Sequence, residues 1–430
     1  MGSQILPQLL RLALKNKRTL CRARGVFLYL IIFNLHNLLK SCTFIYMKSV
    51  SEKKKIFVGV SGGVDSSVAL ALLRDAGHDV VGVYIRTWQP DWMVCTWREE
   101  RRDAMRVCAH LRVPFLELDA QDVYEKEVAN YMIDSYREGK TPNPDILCNK
   151  IIKFGVFLDF ARSHGAHAIA TGHYARTDAS SRMLRASDES KDQSYFLWTL
   201  TRDQLDSVVF PLGTMHKSTV RLLARSYGLP TAIKKDSQGI CFIGDISMKE
   251  FLKHYIEEKR GDVLDEEGKV IGYHNGALFF TLGERHGFVI DNARKGTDDS
   301  PLYVIGKDIE KNTITVAKGL TPSPSPSSSA KATEDAEGGG HGPAHRSFSV
   351  GGGSFTLHDV NDMLGTLSSG FSCQCQIRYH GEMKECKILA YDAKKKTAQI
   401  ELTESDRTIA SGQSLVLYDG DVCLGGGVID

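Results

Sequence analysis

The stretch S-G-G-V-D-S, residues 61 to 66, gathers two glycines, two hydroxyls and a carboxylate directly after the apolar run IFVGV. Glycines at 62 and 63 let backbone amides approach a ligand, the hydroxyls of Ser61, Ser66 and Ser67 add donors, and a helix starting here contributes partial positive charge. Such a turn suits a phosphate. It is neither G-x-x-x-x-G-K-[ST] nor G-x-G-x-x-G, the two common phosphate loops. Two cysteines also sit where thiol chemistry is feasible. In TPNPDILCNKIIKF, Pro142 and Pro144 fix the backbone ahead of a helix entered near Asp145, and Cys148 follows three residues later on the same face. The Asp145 carboxylate can trade a proton with that thiol or with a bound base, and Lys150 and Lys153 favour thiolate. In KKDSQGICFIG, Gly239 precedes Cys241, with Lys234 and Lys235 upstream. Both thiols are therefore expected to be exposed and electropositive. The plainer reading is two ordinary buried cysteines, and spacing does not show whether they meet.

The elements around these residues alternate. Residues 56–60 read as a buried strand, and Val64, Val68 and Leu72 recur at helical spacing until Gly77 supplies a stop. DVVGVYI (strand), REERRDAMRVCAHL (helix), PFLELD (strand), VYEKEVANYMIDSYREG and KFGVFLDFARSHG (helices) and HAIATGHY (strand) follow. The pattern predicts an α/β fold, a parallel sheet covered on both sides, with ligand at the carboxyl ends of the strands, where SGGVDS and TGHY both fall. Past Ser247 the texture changes to short strands and glycine turns, giving expected units at 52–247, 248–320 (small and β-rich) and 355–430 (a small β-barrel). Residues 321–354, rich in Ser, Pro and Gly, read as a disordered insertion. No internal repeat occurs.

At 430 residues the chain has room for two or three domains. Its net charge of +2 hides a split: residues 1–51 hold 8 Lys or Arg and no acid, leaving a net −6 on the rest. Contacts to nucleic acid must then come from local patches. The basic, acid-free start has the character of a transit peptide, for the mitochondrion first. A plastid address, a secretory signal, or a cytosolic form starting at Met47 are the alternatives. VFLYLIIF is too short to span a bilayer, so no membrane anchor is expected. Ten cysteines without any C-x-x-C make neither a disulfide framework nor a zinc site. Cys373, Cys375 and Cys386 read as buried strand residues rather than metal ligands.

Seven motifs, GVSGGVDSS, TPNPDILCNKIIKF, ATGHYAR, KDQSYFL, KKDSQGICFIG, RYH and GQSLVLYDGDVCLGGGVI, occur in the order found in the tRNA-specific 2-thiouridylases, which the chain resembles from Lys54 to Asp430 outside the insertion. SGGVDS alone would fit any PP-loop ATP pyrophosphatase. The resemblance implies an adenine-nucleotide alpha hydrolase-like domain, a small central domain and a C-terminal β-barrel. It implies that Gly59, Val60, Ser61, Gly62, Gly63, Val64, Asp65 and Ser66 cradle ATP with Mg2+, aided by Ile85 and Gly172. Asn143, Pro144 and Asp145 would surround the target base. His173, Lys191, Asp192, Gln193, Arg378, Tyr379 and Gln413 would touch tRNA. Cys148 would be the nucleophile, Cys241 the persulfide carrier loaded by a sulfur-donor protein, and Asp145 the proton shuttle. In the implied reaction the oxygen on carbon 2 of the wobble uridine is adenylated, sulfur displaces it, and the two cysteines end as a disulfide that a reductant resets. A monomer is expected. The chain departs from the family at Glu284 and His286, where glutamine and lysine are common, and at Arg86-Thr-Trp88 in place of lysine-asparagine-tryptophan.

Two other classes remain to be weighed. A PP-loop ligase that adenylates a carboxylic acid or nucleotide needs ATP but no cysteine pair, so serine at 148 and 241 would leave its turnover intact. A non-catalytic RNA-binding protein on the same scaffold would release no pyrophosphate with tRNA and ATP.

Overall fold

β1 (Lys55–Gly59) shows why the α/β pattern folds as it does: Ile56 and Val58 face one side of the sheet, and Phe57 faces the other. The computed structural model describes residues 53–94, 96–235, 246–291, 300–319, 347–348, 353–404, 406 and 408–430. The expected transit peptide, Cys241 and nearly all of the 321–354 segment lie outside the described residues.

α1 (Val64–Asp75) leads to β2 (Asp79–Arg86), α2 (Trp97–Leu111) and β3 (Phe115–Asp119). Gly77 ends α1's turn at φ +90°, as its sequence position implies. With β4 (Ala168–Ala170) and β7 (Val208–Val209) these strands form a parallel sheet in the order β3-β2-β1-β4-β7. The chain turns from one half of that sheet to the other between β1 and β4, so the loops leaving these two strands flank the crevice where such sheets bind ligands. α1 and α2 cover the face carrying Ile56, Val58 and Val80; the helices of residues 121–137 (α3) and 144–163 (α4) cover the face carrying Phe57, Val81 and Ile85.

Three expectations are corrected here. HAIATGHY is strand only through Ala170, because Thr171 bonds its Oγ1 to His173 Nδ1 (2.8 Å) and Tyr174 N–H turns aside to Gln193 Oε1 (3.0 Å). The helix assigned to 153–165 begins at Pro144 and runs on without interruption. Asn143 starts it: its Oδ1 accepts from Asp145 N–H (3.0 Å) and Ile146 N–H (3.2 Å), and Pro144 takes the first helical position, where no donor is needed. Its middle, Cys148–Val156, is π-helical, as is Glu125–Asn130 within α3. Within the expected insertion, Ser347–Phe348 (β13) pairs with Asp308 and Lys307 rather than standing apart.

The central unit carries β8 (Gly261–Leu264), β9 (Val270–His274), β10 (Phe288–Ile290), β11 (Leu302–Asp308) and β12 (Thr313–Lys318) around Val263, Phe280 and Val316. At the C-terminus β14 (Ser354–Asp362), β15 (Ser372–Gln376), β16 (Lys384–Asp392), β17 (Thr397–Leu402), β18 (Ser414–Asp419) and β19 (Val422–Ile429) close into an antiparallel barrel through the β14–β19 pairing. The barrel is not self-contained. A hairpin of the first domain, β5 (Arg176–Thr177) and β6 (Met183–Leu184), adds to β19 by the Val422–Leu184 pair. Cys373 and Cys386 face each other across β15 and β16 with Sγ atoms 3.7 Å apart, and with Cys375 they are buried in the barrel, as the strand reading implies.

Candidate nucleotide and thiol site

The turn from β1 into α1 is a cradle that only glycine fits. Gly62 has φ +74°, and a Cβ there would lie 2.6 Å from Glu100 O of α2. A Cβ on Gly172 would lie 2.7 Å from Ser66 N, so the loop after β4 presses directly onto the start of α1. Gly63 is the N-cap of α1 and offers no side chain, which leaves the first-turn amides for an incoming acceptor. Val60 N–H is held by Val83 O (2.8 Å), and Ser61 and Ser66 share an Oγ–Oγ bond of 3.2 Å. These features fit a polyphosphate, and Ile85, at the carboxyl end of the adjacent β2, is buried beside it in the sheet core.

Asp65 does not stand alone. Lys217, the first residue of α5 (Lys217–Ser226), donates through Nζ to both its oxygens at 2.7 Å, and Tyr174 O–H donates to Oδ1 at 2.9 Å. The sequence reading missed Lys217, a single lysine far along the chain with no spacing to betray it; Tyr174 lay unremarked inside ATGHYAR. The Asp65 carboxylate and the Ser61 and Ser66 hydroxyls are hard oxygen donors of the type Mg2+ takes when phosphate oxygens complete its shell. Among the described residues no group of three His, Cys, Asp or Glu could hold a metal by itself.

Cys148 is wholly buried, which corrects the expected exposed thiol. The reason is the face it takes on α4: Cys148 turns inward to join the core of Ile152, Phe157 and Tyr195, while Lys150 points out to solvent. Asp145, one turn earlier, stays half-buried. Burial, with the charges of Asp192 and Asp145, pushes the phenol of Tyr379, in the loop between β15 and β16, up to about 12.

The residues expected at tRNA divide. Lys191 and Tyr379 are half-buried, and Tyr379 lies 4.4 Å from the Phe196 ring and stacks on exposed His380 at 3.9 Å. An open cleft of about 370 Å3 lies beside them, lined by Arg185, Ser190, Asp192, Gln376, Tyr379 and His380. Others are turned to internal work. Asp192 is buried, accepting from Ala186 N–H (2.8 Å), Ser194 Oγ (2.8 Å) and Ser194 N–H (3.3 Å). His173 is buried against Phe154, and burial with Lys153 nearby holds its ring neutral, well below the usual imidazole range. Gln193 ties the KDQ and TGHY loops, donating N–H to Tyr174 O (2.8 Å) as well as accepting from Tyr174 N–H. Gln413 Oε1 accepts from Ala410 N–H (3.2 Å). Arg378 spends Nη2 on Leu282 O and Thr408 O, joining the central unit to the barrel. The departures from the family pattern lie elsewhere: Glu284 caps Thr281 N–H (3.1 Å), His286 accepts from Arg285 Nε (3.0 Å), and Arg86 stacks 4.1 Å over Trp97.

Three family models match consecutive parts of the chain: a tRNA methyl transferase HUP domain over 54–245, a tRNA methyl transferase PRC-barrel domain over 249–318, and an aminomethyltransferase beta-barrel domain over 353–429. The tRNA-specific 2-thiouridylase MnmA of Bacillus subtilis is 38% identical over 389 residues, covering 89% of this chain and 97% of its own length. That of Akkermansia muciniphila is 41% identical over 382 residues, covering 87% and 98%. A solved NMN synthetase from Francisella tularensis, at 13% identity and TM-score 0.33 over 49% of this chain and 79% of its own, is too remote to bear on the site. On this identity and coverage, the chain belongs to the tRNA-specific 2-thiouridylase family.

Proposed function

We propose that the chain is an ATP-dependent tRNA 2-thiouridylase, a sulfurtransferase that replaces the oxygen on carbon 2 of the wobble uridine with sulfur. The observation that carries this is that one domain holds both a glycine-only turn fit for phosphate, backed by Lys217, and a cysteine one turn beyond an aspartate at the start of a helix. A methyl transfer, as the domain descriptions word it, would use neither.

In this reading the amides of 61–66 and Lys217 hold the polyphosphate, so that charge developing on the departing pyrophosphate meets fixed donors. Mg2+ would be held by Asp65 with the serine hydroxyls and would neutralise phosphate charge. The uridine oxygen takes AMP and becomes a leaving group. A persulfide on Cys241, loaded by a donor protein, supplies the sulfur that bonds to carbon 2 as AMP departs. The Cys148 thiolate then attacks the Cys241 sulfur and breaks its bond to the transferred sulfur, which stays on carbon 2 as the thio group, and an external dithiol reduces the resulting Cys148–Cys241 disulfide. Asp145 moves the proton. Cys148 enters this cycle from a buried position, so base binding must open the site. Lys191 and Tyr379 with the neighbouring cleft are the surface offered to RNA; Asp192, His173, Gln193, Gln413 and Arg378 support it from beneath. We further propose a mitochondrial protein, on the strength of its acid-free first 51 residues; import of a reporter fused to them tests the address, and the mass in solution tests the expected monomer. Among the described residues no helix is long and apolar enough to cross a membrane.

The deciding experiment incubates the protein with ATP, Mg2+, tRNA and a persulfide source and measures 2-thiouridine by mass spectrometry. Cys148→Ser and Cys241→Ser are each expected to abolish the product while ATP binding persists. Thiolation surviving in both would overturn the two-cysteine scheme; pyrophosphate release without 2-thiouridine from the unaltered protein would favour the ligase class, and neither product the binder.

A further inference from the structure

We propose that Asn149 reads the target base, its side-chain oxygen accepting the N3–H of uracil; the proposal rests on the thiouridylase reading above. Asn149 follows Cys148 on α4 and is only 2% exposed. Its Nδ2 donates to Phe196 O at 3.0 Å, which fixes the amide plane and decides which prong is left. That prong, Oδ1, is buried and has no hydrogen-bond partner among the described residues. A buried amide oxygen without a donor is costly, and an apolar residue of similar size would fill the same space without that cost. The unmet acceptor therefore points to a donor that arrives with a ligand.

Its surroundings indicate which ligand. Asn149 lies four residues past Asp145, on the same side of the helix and deeper, next in sequence to Cys148. Phe196, whose carbonyl orients the amide, packs 4.4 Å from Tyr379, so aromatic faces fit for stacking a flipped-out base stand alongside. Uracil carries one ring donor on its Watson–Crick edge, N3–H, between the O2 that is to react and O4. Cytosine carries a lone pair at N3, which would face the lone pairs of Oδ1. A fixed acceptor here thus separates uracil from cytosine.

The test compares anticodon stem-loops with uridine or cytidine at the target position, scoring 2-thiouridine and 2-thiocytidine. Asn149→Leu and the smaller Asn149→Ser are each expected to narrow the uridine-to-cytidine ratio at least about tenfold, because a site built for a substrate N–H rejects analogues through its unpaired groups. An unchanged ratio, with both products falling together or neither, overturns the proposal. Should both variants fail to bind ATP, the unaltered protein decides: a stem-loop with 3-deazauridine, which has C–H at position 3, is expected to compete at least about fivefold more weakly than the uridine form. Equal competition overturns the assignment. This binding comparison needs no turnover, so it stands apart from the cysteine variants that test the parent reading.

Discussion

Single side chains in this protein are held in states that water would not favour. Cys148, the proposed nucleophile, is one instance, a thiol that the fold keeps inside the core of the first domain. Lys307 is the structural one: burial pushes its ammonium down to about 8, with Glu284 acting the other way, while Nζ donates to Phe280 O at 2.9 Å. The folded value lies below that of the unfolded chain, about 10.4. Between those two values the unfolded chain binds more protons, so stability rises with pH across the window. Lys307→Met removes this rise. In urea melts its stability relative to the parent is expected to be highest below pH 8 and to decline by about 3 kcal/mol as pH approaches 10.5. A constant difference between the two proteins would show that Lys307 keeps an ordinary ammonium. Residue identity alone does not reveal such states: lysine at 307 reads as a surface residue until the opposing walls are known.

Among the elements, α4 matters most, since it brings Asp145, Cys148 and Asn149 to one place. Its start near Asp145 was legible in the two prolines of T-P-N-P-D, and the structure adds that Asn143 caps it with Pro144 at the first helical position. Asn143→Ala is expected to cost about 1 kcal/mol and to speed hydrogen exchange at the Asp145 and Ile146 amides. Unchanged exchange there would mean that packing, not the cap, sets the helix start. The π-helical stretch of 148–156 was not legible, because a turn of wider pitch uses the same residues and the same apolar spacing. The short β4 was missed for a similar reason. A-I-A-T-G-H-Y alternates well enough for a strand, but Gly172 must leave the sheet to meet the α1 N-terminus.

Across the whole molecule, three units meet at residues 140–145, 281–284 and 408–413. Thr141 N–H donates to Ser411 O at 2.8 Å, and Thr141 Oγ1 lies 3.4 Å from Thr281 Oγ1. Gly412 packs so tightly that a Cβ would sit 2.8 Å from Thr141 N. The turn at Asn143, proposed to surround the base, is therefore braced by both other units just before α4 begins. Tyr195 O–H adds bonds to Ile377 O (3.0 Å) and Ser414 O (2.9 Å), and Val416 and Tyr418 of the barrel belong to the same core as Cys148. Arg378→Ala, which strands the Leu282 and Thr408 carbonyls, is expected to cost roughly 2 to 4 kcal/mol and to split a shared calorimetric transition into separate ones. A single transition at the parent's midpoint would deny Arg378 this bracing role.

By itself the sequence determined what is local: the glycine turn after β1, the start of α4 near Asp145, the alternation that requires a parallel sheet, and the buried faces of the barrel strands. Each is decided by residues within one or two turns or pleats of one another. Tertiary structure decided the rest: that Lys217 pairs with Asp65 from 152 positions away, that Cys148 faces inward, that Arg378 and Asp192 serve the frame, and that one oxygen of Asn149 is left unmet. These follow from which surfaces come together, and whether a polar group is exposed, paired or stranded depends on walls supplied by distant parts of the chain.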